Sequence, residues 1–159
     1  MKLQARDGAN FLELEVYDYQ FPDAEDPQLR YSWHRVRGRA RYDHEEWEFA
    51  FPALTCDETP RVSAWLRAAA DSAEADPRHT SPTPAPLRFT EPNFAFTVTS
   101  AANGLAHLQV TLSQEFRNAP WATPPYAETV LAFALSPQDL RAAAGDWDTA
   151  SAPFPDGLA

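Results

Sequence analysis

Apolar and polar side chains alternate with a period of two along several stretches of this chain, which predicts half-buried strands. In Phe11–Val16, Leu12, Leu14 and Val16 share one face while Glu13 and Glu15 take the other. From Trp33 to Tyr42 the alternation is sharper. Arg35, Arg37, Arg39 and Arg41 point one way and Val36, Gly38, Ala40 and Tyr42 the other. Beyond the polar turn Asp43-His44-Glu45 the chain returns through Trp47, Phe49 and Phe51, alternating with Glu46, Glu48 and Ala50. A β-hairpin follows, its outer face setting arginines against glutamates.

A different period then takes over. Val62, Trp65, Leu66 and Ala69 fall at i, i+3, i+4 and i+7, which predicts a helix near 60–71. Thr59 is placed to cap it and Pro60 fits its first turn, where the missing N–H is not needed. The stretch Pro77–Pro86 has no periodicity and reads as a flexible loop.

Alternation returns at Leu87–Thr90 and in Phe94, Phe96 and Val98, and Asn103-Gly104 marks a hairpin turn. Leu108, Val110, Leu112 and Phe116 predict a long return strand, and Leu131, Phe133 and Leu135 the inward face of a last one. Ser136-Pro137-Gln138-Asp139 opens a second helix over 137–144, closed by Gly145, with residues 146–159 as a loosely attached tail. The expected fold is α+β: an antiparallel sheet of about six strands with two helices, in the order βββα-βββα. At 159 residues, one domain over 1–159 is expected.

Composition narrows the function. Thirteen basic against 23 acidic residues leave a formal charge of −10, which argues against nucleic-acid binding, because phosphate requires Lys and Arg. The polar start at Met1–Asp7 does not read as a signal peptide, and no run approaches a membrane span, so a soluble, cytoplasmic protein is expected. One cysteine, Cys56, excludes an internal disulfide, and five isolated glycines leave no phosphate-cradling loop.

Catalytic chemistry finds little support. His34, His44, His79 and His107 show no helical metal-pair spacing, and none lies beside Cys56 to form a nucleophile–base arrangement. No catalytic residue, metal or cofactor is expected. Among the tryptophans, Trp65 and Trp47 fit core stripes, and Trp121, in a loop between Pro120 and Pro124, reads as a packing plug, with a binding anchor as the alternative.

Several sequence features occur together in order. They are Tyr19-Gln20-Phe21-Pro22 followed by acids, Trp33 with Val36, Trp47 ahead of Thr55, Trp65-Leu66 and Phe116 before Pro120-Trp121. Phe89-Thr90-Glu91-Pro92-Asn93-Phe94 and Leu135-Ser136-Pro137-Gln138-Asp139-Leu140 complete them. Over about residues 11–145 the chain resembles the WapI-type immunity proteins of bacteria. The segment at 89–94 is the most specific part, and the loop 77–86 departs from the pattern. The resemblance implies a non-enzymatic protein that binds and neutralises the toxic C-terminal domain of a polymorphic toxin, often a nuclease or another cationic enzyme. Within 89–94, Phe89, Glu91, Pro92, Asn93 and Phe94 are expected to serve architecture, direct partner contact by Glu91 and Asn93 being the alternative.

The acidic residues then acquire a candidate role. Asp23, Glu25 and Asp26 lie on one loop and Asp43, Glu45 and Glu46 on another, flanking strand 33–41, where they are expected to reach a common sheet edge and steer a cationic partner. Tyr31 and Trp33 are the nearest aromatic anchors. The competing reading is an enzyme or small-ligand binder with a pocket between sheet and helices.

Overall fold

A computed structural model describes residues 1–75, 82–118 and 127–157. Seven strands form two antiparallel sheets rather than the single sheet of about six expected from the alternation. The first contains β1 (Lys2–Gln4), β2 (Asn10–Tyr19), β3 (Trp33–Tyr42) and β4 (Glu45–Thr55), in that spatial order. The second contains β5 (Phe94–Ala102), β6 (Leu105–Leu112) and β7 (Thr129–Leu135), again in chain order. Three helices, α1 (Pro27–Arg30), α2 (Thr59–Glu74) and α3 (Pro137–Ser151), complete the α+β arrangement. Both β1 and α1 are additions to the expected elements.

The register follows the side-chain pattern. Leu14, Gly38 and Phe49 lie opposite one another across β2, β3 and β4, on the face turned to the core. A Cβ on Gly38 would strike the Glu13 carbonyl oxygen and come within 2.7 Å of both Leu14 Cδ2 and Phe49 Cε2, so the position has room only for hydrogen. On the opposite face the arginines of β3 meet Glu13 and Glu15 of β2 and Glu46 of β4. Pro52 lies on β4, an edge strand, where a missing N–H breaks no ladder, and the register shifts beside it between His34 and Arg35. Asn103 and Gly104 both adopt positive φ, as the β5–β6 hairpin turn demands.

One hydrophobic cluster joins the two sheets and the long helices. α2 packs against β5 and β6, α3 against β1 and β2, and the two helices pack on each other. Phe116 links the sheets: its ring lies 4.3 Å from Phe49 of β4 and is stacked at 5.6 Å on Phe94 of β5. It does so from a 3-10 turn, Gln114–Phe116, because β6 ends at Leu112 instead of continuing to 116.

Two helix boundaries differ from expectation. Glu58, not Thr59, stands at the N-cap of α2, because the Thr59 hydroxyl is engaged by His34 and the Glu58 carboxylate by neighbouring donors. α3 passes through Gly145 to Ser151. Its capping box forms as read, with the Ser136 hydroxyl accepting from the Asp139 N–H and the Asp139 carboxylate accepting in return. A helical glycine is disfavoured but tolerated, and burial of Trp147 at 0% exposure holds the extra turns in place. Residues 146–151 are therefore an integral part of α3 rather than a loose tail.

Leu87 makes only an isolated bridge to Phe96, so Leu87–Thr90 does not form a strand. Part of the loop expected at 77–86 lies outside the described residues, as do His79, Pro120, Trp121 and Pro124. Residues 82–86 have no regular structure, and the Trp65 indole N–H donates to the Ala85 carbonyl at 2.7 Å.

Candidate functional site

The β2–β3 connection is a short, internally bonded knuckle. Asp26 caps α1 by accepting the Gln28 N–H at 2.9 Å, and Pro27 occupies the first turn. The Ala24 N–H donates to the Phe21 carbonyl at 3.1 Å, and Arg30 Nε donates to the Ala24 carbonyl at 2.9 Å. Asp23, Glu25 and Asp26 are exposed around it. Phe21 and Leu29 are also exposed, at 38% and 46%, so the knuckle presents apolar surface within an acidic rim.

At the opposite end of β3, Tyr42 is 50% exposed and Asp43 takes a positive φ in the hairpin turn. Two of the three acids there are engaged by neighbours, while Asp43 stays exposed beside His44. Glu45 accepts from Asn118 Nδ2, and Glu46 pairs with Arg41 at 3.0 Å and Arg39 at 3.4 Å. A ten-residue strand spans about 30 Å, and β3 is interior to its sheet. The two acidic loops consequently sit at opposite ends of the molecule's longest hairpin and share no edge, because strand direction fixes which loops can be neighbours.

Tyr31 and Trp33 are half-buried, and Tyr31 belongs to an aromatic clasp. Tyr19 sits 5.2 Å from both Tyr31 and His34 and 5.7 Å from Phe154, and its hydroxyl donates to the Pro155 carbonyl at 2.6 Å. A Cβ on Gly157 would lie 2.5–2.6 Å from the Tyr31 ring, so the chain after α3 closes directly over that ring. Phe21 and Leu29 are thus the more accessible apolar groups; in the sequence Phe21 stands out only within Tyr19-Gln20-Phe21-Pro22 and Leu29 not at all, because neither lies in a periodic run.

The same region contains two buried titratable groups, His34 and Cys56. His34 is 1% exposed, and its Nδ1 shares a 2.7 Å hydrogen bond with the Thr59 hydroxyl. Burial pushes its imidazole down to about 4, outweighing the Phe154 backbone and the Asp156 charge. Burial likewise pushes the Cys56 thiol up to about 12. At neutral pH both groups are uncharged, the reverse of the thiolate–imidazolium pair that cysteine nucleophiles use.

The arginine face of the first sheet is largely self-neutralised. Lys2 and Arg39 share Glu13 at 3.9 and 3.4 Å, Arg37 donates to Glu15, and Arg35 and Arg37 lie over the Tyr17 ring at 5.2 and 5.3 Å. A groove of about 1060 Å³ runs between this sheet and α3, lined by Lys2, Glu13, Glu15, Arg37, Arg39 and Asp146 among others. Most of these charges already pair with one another. Among the described residues no group of His, Cys, Asp and Glu is arranged to hold a metal ion.

The model of the immunity protein WapI-like family matches residues 2–155. The chain belongs to this family. No curated protein and no solved structure matches it. Membership of a WapI-like immunity family implies a protein toxin as partner in general. No helix among the described residues is long and apolar enough to cross a membrane.

In this WapI-like chain, the 89–94 segment is packed into the fold. Phe89 lies 4.7 Å from Phe94, and Phe94 meets Phe96 edge-on at 5.7 Å. Asn93, fully buried, donates from Nδ2 to Glu115 at 2.8 Å, and its main-chain carbonyl accepts the Ser113 N–H at 2.8 Å. Glu91 is half-buried and Pro92 exposed. Sequence reasoning overlooked Glu58, whose buried carboxylate accepts from the Thr55 N–H at 3.2 Å and from the Thr90 N–H and hydroxyl at 2.9 and 3.1 Å. Arg61 pairs with it at 3.3 Å. This carboxylate ties the start of α2 to the 89–94 segment.

Proposed function

We propose that this WapI-like immunity protein binds the toxic C-terminal domain of a cognate polymorphic toxin in the cytoplasm and blocks it without turnover. The partner is a cationic enzyme domain, of which a nuclease is the representative case. The observation that carries this reading is the distribution of charge. The chain bears −10 overall, while Arg37, Arg39, Arg41 and Lys2 are gathered on one sheet face where glutamates offset them. The negative potential is left to other surfaces, the acidic knuckle among them, and a basic partner is drawn to it over a distance of about one Debye length.

The test is titration of the toxin domain encoded by the adjacent gene, followed by its activity, with co-expression in cells as the companion assay. Inhibition that saturates at a fixed stoichiometry, together with rescue of growth, supports the proposal. Absence of binding, or inhibition that consumes substrate or modifies the toxin catalytically, overturns it.

A further inference from the structure

A helical turn is ordinarily held by an apolar face buried against the rest of the chain. α1 buries none of its residues. Leu29, on that turn, is 46% exposed, and Phe21, which leads into it, is 38% exposed. These are two of the four large hydrophobic side chains found exposed among the described residues. The turn is nevertheless fixed, by the Asp26 cap, by the Arg30 contact to the Ala24 carbonyl and by the Ser32 hydroxyl donating to the Leu29 carbonyl at 2.6 Å. Tyr31, the C-cap of the turn, meets Tyr19 edge-on, and Tyr19 is held in turn by Phe154 and by its hydroxyl bond to the Pro155 carbonyl. Apolar residues carried on a turn whose backbone is already fixed lose less entropy when a partner covers them.

We propose that the knuckle at Phe21–Arg30 is the docking element for the toxin domain, with Phe21 and Leu29 as its apolar anchors. This rests on the inhibitor reading above. Charge complementarity defines the occupant as a protein face rich in Arg or Lys. Arg30, the cation of the knuckle, is turned back onto a carbonyl, while Asp23 and Glu25 remain exposed beside the anchors. The other end of β3 is a poorer candidate: Glu45 and Glu46 are engaged by Asn118, Arg39 and Arg41.

Binding kinetics of the full chain against the adjacent-gene toxin domain test the assignment. Phe21→Ala with Leu29→Ala raises the off-rate by about 30-fold or more, since truncated central anchors each cost about 1 kcal/mol or more. Asp23→Lys with Glu25→Lys slows association roughly tenfold at low salt, and the difference shrinks at high salt. Asp26 is left intact because it caps α1. Tyr42→Ala, at the far end, leaves both rates unchanged. Circular dichroism and melting temperature confirm that each variant is folded.

Wild-type kinetics in the Phe21/Leu29 variant, or a larger loss in Tyr42→Ala, overturn the docking assignment while leaving the inhibitor reading intact. Concentration-dependent dimerisation of the free chain that the Phe21/Leu29 variant abolishes also overturns it, since a second copy would then cover the patch. No binding by the wild-type chain removes the inhibitor reading, and the docking assignment falls with it.

Discussion

Trp147, near the end of α3, donates its indole N–H to the carbonyl of Thr59, the first residue of α2, at 2.9 Å inside the core. The two residues are 88 positions apart in sequence. Trp147→Ala removes both the bond and a fully buried ring, for an expected loss of about 3–5 kcal/mol. In a chain of this length that lowers Tm by roughly 10 °C. Trp147→Phe retains most of the volume and loses about 1–2 kcal/mol for the hydrogen bond. Urea titrations of the two variants measure the separation.

Glu58→Ala leaves the Thr55 and Thr90 N–H groups without their acceptor in a part-buried setting. A loss of about 2–4 kcal/mol is expected, from stranded donors plus a small cavity. Glu58→Gln keeps an acceptor oxygen and recovers part of that loss. Hydrogen exchange at Thr90, faster in both variants and fastest in the alanine form, locates the damage.

His34 makes stability depend on pH. Its imidazole titrates at about 4 in the fold and near 6.5 when unfolded, so protonation favours the unfolded chain. Its contribution is intact above pH 6.5, declines as pH falls through 4 and is lost below. The full effect is no more than about 3 kcal/mol. His34→Gln has no imidazole to protonate, so its urea midpoint declines less steeply than the wild type's between pH 7 and pH 4. Parallel slopes for the two proteins would contradict the assignment.

Cys56, 3% exposed and with its thiol pushed up to about 12, is protonated and shielded in the native state. Iodoacetamide at pH 8 is expected to label it at least about 100-fold more slowly than in denaturant, because reaction requires thiolate and access. Mass spectrometry of timed samples gives both rates.

The legible parts of this fold were those with enough residues to display a period. β3 and β4 each run ten residues or more, and Asn103-Gly104 adopts the backbone its composition demands. β1 has three residues and α1 four, too few for any period, although Asp26 and Pro27 are a recognisable cap and first turn. The division into two sheets was hidden because Leu14 and Leu108 present the same inward pattern whichever sheet they join. The acidic residues of the site were visible in sequence, but their separation was not. It follows from strand direction, which places Asp23 and Asp43 at opposite ends of β3. Leu29 stood outside every pattern and Phe21 entered only within Tyr19-Gln20-Phe21-Pro22, since exposed apolar residues leave no period in the sequence.

Strand β3 is written in two alphabets that share one backbone. Its inward letters are limited by volume, down to the bare hydrogen at Gly38, and its outward letters by charge. A single inserted residue within Trp33–Tyr42 would exchange the two downstream of it, turning guanidinium groups towards Leu14 and Phe49 and leaving valine and alanine among the glutamates. Within this stretch β3 therefore admits a substitution more readily than a change of length.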